Sequence, residues 1–170
     1  MYAFNITGDI DQMLRNHDLV KKHGGTCVMV NINAVGFAAL VHLRHHCELP
    51  IHGHRAWFGA IARHPLLGIG FTAYQKLCRV AGVDHLHVGG FNSKFYETNE
   101  EVGQSISDCL TPMLGDDRVM PAISSAQWAG SAVDIYTATR TIDVIHLAGG
   151  GSIAHPGGTA GGVPSQQHGW

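Results

Sequence analysis

No apolar run in this 170-residue sequence approaches the roughly 20 residues that a helical membrane span requires. Met1 to Asn5 carry neither a charged n-region nor an apolar h-region, so no secretory signal is read there, and the expected location is the cytoplasm. Charge of one sign is also missing. Eleven Lys and Arg nearly cancel thirteen Asp and Glu, and no basic run occurs, which excludes the electrostatic footprint of a nucleic-acid or anionic-membrane binder. The four cysteines, Cys27, Cys47, Cys78 and Cys109, show no paired C-x-x-C spacing, so zinc and dithiol redox chemistry are not indicated and reduced, buried thiols are expected. Neither a G-x-G-x-x-G fingerprint nor a Walker P-loop stands in context. Asn5-Ile6-Thr7 matches a glycosylation acceptor but has no consequence without a signal peptide.

What is present is 45% hydrophobic content, enough for a real core, arranged as strand and helix in alternation. Apolar, β-rich runs start near positions 2, 26, 50, 83, 119 and 142. Between them, Asp9 offers an N-cap to a helix stopped by Gly24-Gly25. Further helices are expected at about 36–47, from near Trp57, at about 99–110 and around 131–139. Near-continuous apolar strands alternating with amphipathic helices imply a parallel sheet covered by helices, with no second domain or linker. Six βα units satisfy an open doubly wound sheet or a barrel lacking two units, since a closed (β/α)8 barrel needs eight. Phe37, Leu40, Val41 and Leu43, with Trp57, Phe58 and Ile61, are expected to be core. His42, His45 and His46 are expected at the surface or in helix packing.

The chemistry is concentrated at strand ends. In a β/α protein the reactive groups stand where strands run into the following loop. His52 and His54 alternate on a strand and share a face, with Arg55 at the loop junction able to fork onto a phosphate or carboxylate. His85 and His87 repeat the alternation one strand on, between Asp84 and Gly89-Gly90. A metal pair or hydrogen-bonded core histidines are the alternatives, but Arg55 would repel a cation, so acid/base and substrate-oxygen contacts are favoured. Lys94, in the loop 89–98 whose glycines offer hinges, either closes over an anionic transition state or is simply solvated. Ser124-Ser125 end the next strand, and Gly149-Gly150-Gly151 open the last loop before a Gly-rich tail. Their free backbone N–H groups suit a phosphate cradle, with a flexible turn as the other reading.

Taken in order, these motifs resemble the C-terminal barrel of the ribulose-1,5-bisphosphate carboxylase/oxygenase (RuBisCO) large chain, and more closely its form IV, RuBisCO-like relatives. The strand-five motif His-x-His-Arg-Ala looks like His52 to Ala56, and the strand-six motif Asp-His-x-His-x-Gly looks like Asp84 to Gly89. The loop-six lysine resembles Lys94, and the strand-seven serine resembles Ser124. The strand-eight glycines followed by His-Pro look like Gly149 to Gly151 with His155-Pro156. The resemblance covers residues 1–170 and implies an α/β fold, a partial (β/α)8 TIM barrel holding strands three to eight of that domain.

It further implies that Arg55 and His87 bind a substrate phosphate, and that His54 contacts substrate oxygens and helps proton transfer. Ser124 would hydrogen-bond a hydroxyl, Gly149, Gly150 and Gly151 would hold a phosphate, and Lys94 would clamp the reacting carboxylate or enolate; His54, His87 and Lys94 are the catalytic candidates. Family chemistry is enolisation with Mg2+ stabilising an enediolate. The implied metal site, a carbamylated lysine with an acidic pair, lies on the second barrel strand, upstream of Met1, so no metal ligand is expected in this chain.

Carboxylases carry a histidine four residues after His54 and a Ser-Gly-Gly-x-His run, where this chain has Phe58 and Ser124-Ser125-Ala126-Gln127-Trp128. The expected function is therefore Mg2+-dependent enolisation or decarboxylation of a phosphorylated sugar or sugar acid, such as a 3-oxo-isoapionate type. The alternatives are a methylthioribulose-type enolase or isomerase, a ribulose-bisphosphate carboxylase proper, and a non-catalytic phosphate-binding fragment. The resemblance also implies a homodimer or higher oligomer in the full-length protein, and a chain that is inactive alone.

Overall fold

Asp9 does what its position before Ile10 suggests: its side chain accepts a hydrogen bond from the Gln12 N–H at 2.8 Å and so starts the first helix. The computed structural model describes all of residues 1–170, whose contacts divide the chain into two units, Met1–Leu86 with Pro112–Val119 and His87–Thr111 with Met120–Trp170. The six strands run parallel in hydrogen-bonded order β1 to β6, the α/β arrangement of a partial (β/α)8 barrel.

The first unit holds β1 (Phe4–Asn5), α1 (Ile10–Lys22), β2 (Val28–Asn31), α2 (Ile32–His46), β3 (Ile51–His54), α3 (Phe58–Ala62), α4 (Phe71–Val80) and the start of β4 (His85–Gly89). Its strands register Phe4 on Val28, Val28 on Ile51 and His52 on His85. Val28, Val30, Ile51 and Leu86 of the strands are fully buried, as are Met13, Leu40 and Leu43 of α1 and α2. Gly36, at φ 77°, breaks α2 after its first turn, so the helix proper begins where the sequence suggested.

The buried Arg79 guanidinium fastens the segment Pro112–Val119 to α4, donating to Asp117 Oδ1 at 3.0 Å and to the Asp117 carbonyl at 3.2 Å. Asp18 accepts from His17 Nδ1 at 3.0 Å and pairs with His46 Nε2 at 2.7 Å, which pins α1 to the end of α2. The Glu48 N–H donates to His17 Nε2 at 3.3 Å, so the His17 proton resides on Nδ1, facing Asp18.

The second unit holds the rest of β4, then α5 (Asn99–Leu110), β5 (Met120–Ile123), α6 (Ser131–Thr139), β6 (Ile145–His146), α7 (Gly149–Ile153) and α8 (Gly158–Gly169). Thr98 and Glu101 form a reciprocal capping box that starts α5. β5 pairs with β6 through Ala122 on Ile145 and Ile123 on His146.

Several expectations are corrected. α4 went unrecognised because Gly68 and Gly70 interrupt the run before it. Trp57 is 80% exposed rather than core, because its left-handed backbone (φ 69°) turns it off the path of α3. Val41 and Ile61 also face outward. The Gly-rich tail is helical: α8 lies against α7 and α6, and those contacts override the poor helix propensity of glycine. All four cysteines are buried and none forms a disulfide, as expected.

Candidate functional site

In the first unit, β3 delivers His52, His54 and Arg55 in succession. His52 is buried and its ring meets that of His85 edge to face at 5.7 Å, as the register of β3 on β4 requires. Burial, with the neighbouring imidazoles of His85 and His54 adding to it, pushes the His52 pKa down to about 4. Burial also lowers His85, against the pull of Asp84, and it lowers His54, where the Arg55 charge acts in the same direction. These imidazoles are therefore neutral near pH 7. The Ala56 N–H donates to His54 Nδ1 at 3.1 Å, which places the His54 proton on Nε2 and makes that nitrogen a donor.

Arg55 is 9% exposed, and its guanidinium carbon lies over two rings, 4.5 Å from the Phe71 centroid and 5.3 Å from that of Phe58. Asp84 is the nearest acidic neighbour in sequence to the histidine motifs, but it is engaged elsewhere. It accepts from Arg44 Nη1 at 2.8 Å and from the Ile51 N–H at 2.7 Å.

In the second unit, β4 places His87 with Nδ1 3.1 Å from Ser124 Oγ at the end of β5. The Ser124 N–H donates to the Gly89 carbonyl at 2.8 Å, so backbone and side chain both join these two strand ends. Gly89 and Gly90 are both required by the backbone here. Gly89 needs its φ of 111°, and a Cβ at Gly90 would stand 2.0 Å from the Ser124 carbonyl oxygen. Lys94 is exposed in the loop beyond them. Gly149 and Gly150 are also exposed, with open space where a Cβ would project, and with Gly151 they form the first turn of α7. Gly151 is closed in by Gln127 and Trp128, 2.6 Å from the nearest atom.

Four further residues shape the strand ends, Ser125, Ala126, Gln127 and Asn31. Ser125 and Ala126 are both left-handed, at φ 73° and 56°, so the chain turns sharply after β5 and buries Gln127. The Gln127 amide donates to the Phe91 carbonyl at 2.9 Å and to the Ser125 carbonyl at 2.7 Å, bracing the start of the Lys94 loop. Asn31 ends β2 with a buried Oδ1 that has no hydrogen-bond partner, a polar strand end like the others. Its place as the last residue of an apolar run was the available signal.

The donor set decides which ligands suit these strand ends. No carboxylate ends any of the six strands, and the groups there are neutral imidazoles, a guanidinium, hydroxyls, backbone N–H groups and the amides of Asn5 and Asn31. Mg2+ takes oxygen ligands in near-octahedral geometry, so these residues do not fit it. They fit an anionic, oxygen-rich molecule. A cavity of about 540 Å³ lies away from them, lined by Phe91, Asn99, Gly103, Gln104, Ser107 and Thr139. It offers no cation to an anionic ligand. The cluster of possible metal ligands His17, Asp18 and His46 is the helix pin already described, in which the proton on His17 Nδ1 leaves no lone pair there for an ion.

The model of the ribulose bisphosphate carboxylase large chain, catalytic domain, matches residues 1–170. A 3-oxo-isoapionate-4-phosphate transcarboxylase/hydrolase of Xanthobacter autotrophicus is 48% identical over 93% of this chain and 39% of its own length. A 3-oxo-isoapionate-4-phosphate decarboxylase of Rhizobium etli is 41% identical over the whole chain and 42% of its own length. The crystal structure of a RuBisCO-like protein from Burkholderia fungorum superposes with a TM-score of 0.96 at 47% identity, over the whole of this chain and 43% of that one. The chain thus spans about two fifths of the proteins it matches. Across that span, the order of strand-end motifs, the sheet order and the matched length agree, and the chain belongs to the ribulose bisphosphate carboxylase large chain family, as part of its catalytic domain.

Proposed function

We propose that this chain is the substrate-holding part of a RuBisCO-like enzyme that decarboxylates a phosphorylated sugar acid of the 3-oxo-isoapionate-4-phosphate type. The observation that carries the reading is the donor set itself: one guanidinium fixed among imidazoles held neutral by burial, with no carboxylate at the strand ends. Two relatives at 41% and 48% identity are named for that substrate, which supports the same class.

In this reading Arg55 and His87 grip the phosphate or carboxylate, and the Nε2–H of His54 donates to a substrate oxygen. Ser124 holds a hydroxyl, and Gly149, Gly150 and Gly151 present backbone N–H groups to a phosphate. Loss of CO2 from a β-keto acid breaks one carbon–carbon bond and leaves its electron pair as an enolate, whose oxygen these donors and Lys94 stabilise. Proton return to the enolate carbon completes the reaction. The Mg2+ of the full enzyme is held by residues outside these 170, since the strand ends here do not fit it. The full enzyme is a cytoplasmic homodimer or higher oligomer, and this chain alone does not turn over.

The test is to give the complete protein 3-oxo-isoapionate 4-phosphate and follow CO2. Release of one CO2 per substrate is expected. Proton exchange with solvent and no CO2 would instead identify an enolase or isomerase of the methylthioribulose type.

A further inference from the structure

We propose that Phe71, backed by Phe58 and Tyr74, is a positioning residue whose ring holds the Arg55 guanidinium, so that Arg55 meets its ligand already oriented. The proposal rests on the reading that Arg55 grips the substrate anion. It begins from the two ring contacts: at 4.5 and 5.3 Å, both fall inside the roughly 6 Å over which a cation is held by an aromatic face.

The rings are themselves fixed. Phe58 is 3% exposed and packs edge to face on Phe71 at 5.0 Å and against Tyr74 at 4.8 Å, while Phe71 stacks on Tyr74 at 6.1 Å. Tyr74 is buried, and its hydroxyl donates to Asn33 Oδ1 at 3.0 Å. Asn33 in turn donates through Nδ2 to the Ala56 carbonyl at 2.7 Å, one residue after Arg55. A single network thus holds both the head of Arg55 and the backbone beside it.

The chemical consequence is directional. Phe58 and Phe71 stand at 70° to one another, so their rings hold the guanidinium from two directions and limit how its N–H groups can meet two oxygens of one phosphate or carboxylate. An arginine ordered before binding loses less rotamer freedom when the ligand arrives, so affinity rises without a new ligand contact. Lysine has no planar face for the rings and no forked edge for the ligand, so it cannot replace Arg55 here.

The test uses the full chain, inorganic phosphate as the probe, and the Arg55 Nε–H resonance as a report on the clamp itself. Phe71 is partly exposed, so Phe71→Leu keeps volume and removes only the π face; Phe71→Met serves the same purpose if the first variant folds poorly. The expected result is faster Arg55 Nε–H exchange with water and phosphate affinity weakened about fivefold, both restored by Phe71→Tyr. Unchanged Nε–H exchange in both Phe71→Leu and Phe71→Met would overturn the clamp. Arg55→Met separates the two ideas: if it leaves phosphate affinity unchanged, the reading of Arg55 as the anion grip falls, while Nε–H exchange in the Phe71 variants still decides the clamp.

Discussion

His87 Nδ1 stands 3.1 Å from Ser124 Oγ, which joins the side chains at the ends of β4 and β5 just where the backbone joins them through Ser124 N–H and Gly89. Ser124→Ala removes one partner and leaves the other, His87, buried. A stability loss of about 1 kcal/mol is expected. If Ser124 also meets substrate, kcat/KM of the complete enzyme falls by roughly tenfold or more, beyond what the melting temperature accounts for. Urea denaturation and steady-state kinetics on the same variant check both.

Gly90→Ala places a methyl group 2.0 Å from the Ser124 carbonyl oxygen and 2.7 Å from Gln127 Nε2. Neither neighbour has room to retreat without moving the turn at Ser125 and Ala126. The expected cost is about 3 kcal/mol, at the upper end for overpacking, seen as a lower urea midpoint with an unchanged slope. Gly103→Ala, whose nearest neighbour would be 3.9 Å away and which lies inside α5, is the contrasting control and is expected to stabilise by about 0.5 to 1 kcal/mol.

Asp117→Ala takes from the buried Arg79 guanidinium the carboxylate it meets at 3.0 Å and leaves it the carbonyl of residue 117. Loss of that carboxylate is expected to lower the urea midpoint, because the guanidinium left behind is still buried. Arg79→Met with Asp117→Ala together is expected to be less destabilising than Asp117→Ala alone, and a double-mutant cycle reads the difference.

Stability depends on pH through the strand-end imidazoles. His52 titrates near 4 in the native protein against 6.5 for an ordinary histidine, and His54, His85 and His146 are lowered in the same direction by burial. As pH falls below 6.5 the unfolded chain takes up protons that the native state resists. Stability therefore drops between pH 6.5 and 4, and His52 alone accounts for on the order of 3 kcal/mol by the lower end. His52→Phe is expected to flatten this slope in denaturation midpoints measured across pH 7 to 4.5.

Much of this was legible in the sequence, and the omissions have physical causes. α5 was legible because the polar loop 89–98 ends where it begins, and α1 because Asp9 caps it. The spacing of His52 with His54 and of His85 with His87 placed each pair on one strand face, and the ring contact of His52 with His85 follows from register. The helicity of residues 158–169 was not legible, because glycine carries no periodic signal and its helix is held by packing. Nor were the rings over Arg55: Phe71 is sixteen residues away, and only the path of α3 and α4 brings it there. The Ser125 and Ala126 turn escaped notice because neither residue is one that favours left-handed backbone.

The central claim is that this chain grips the substrate anion through Arg55. The most direct measurement is kcat and KM of the complete enzyme for 3-oxo-isoapionate 4-phosphate, before and after Arg55→Met. The account predicts a loss in kcat/KM of roughly a hundredfold, carried mainly by KM, as a desolvated charge-assisted pair would give. A variant with KM and kcat of the unaltered enzyme would contradict it.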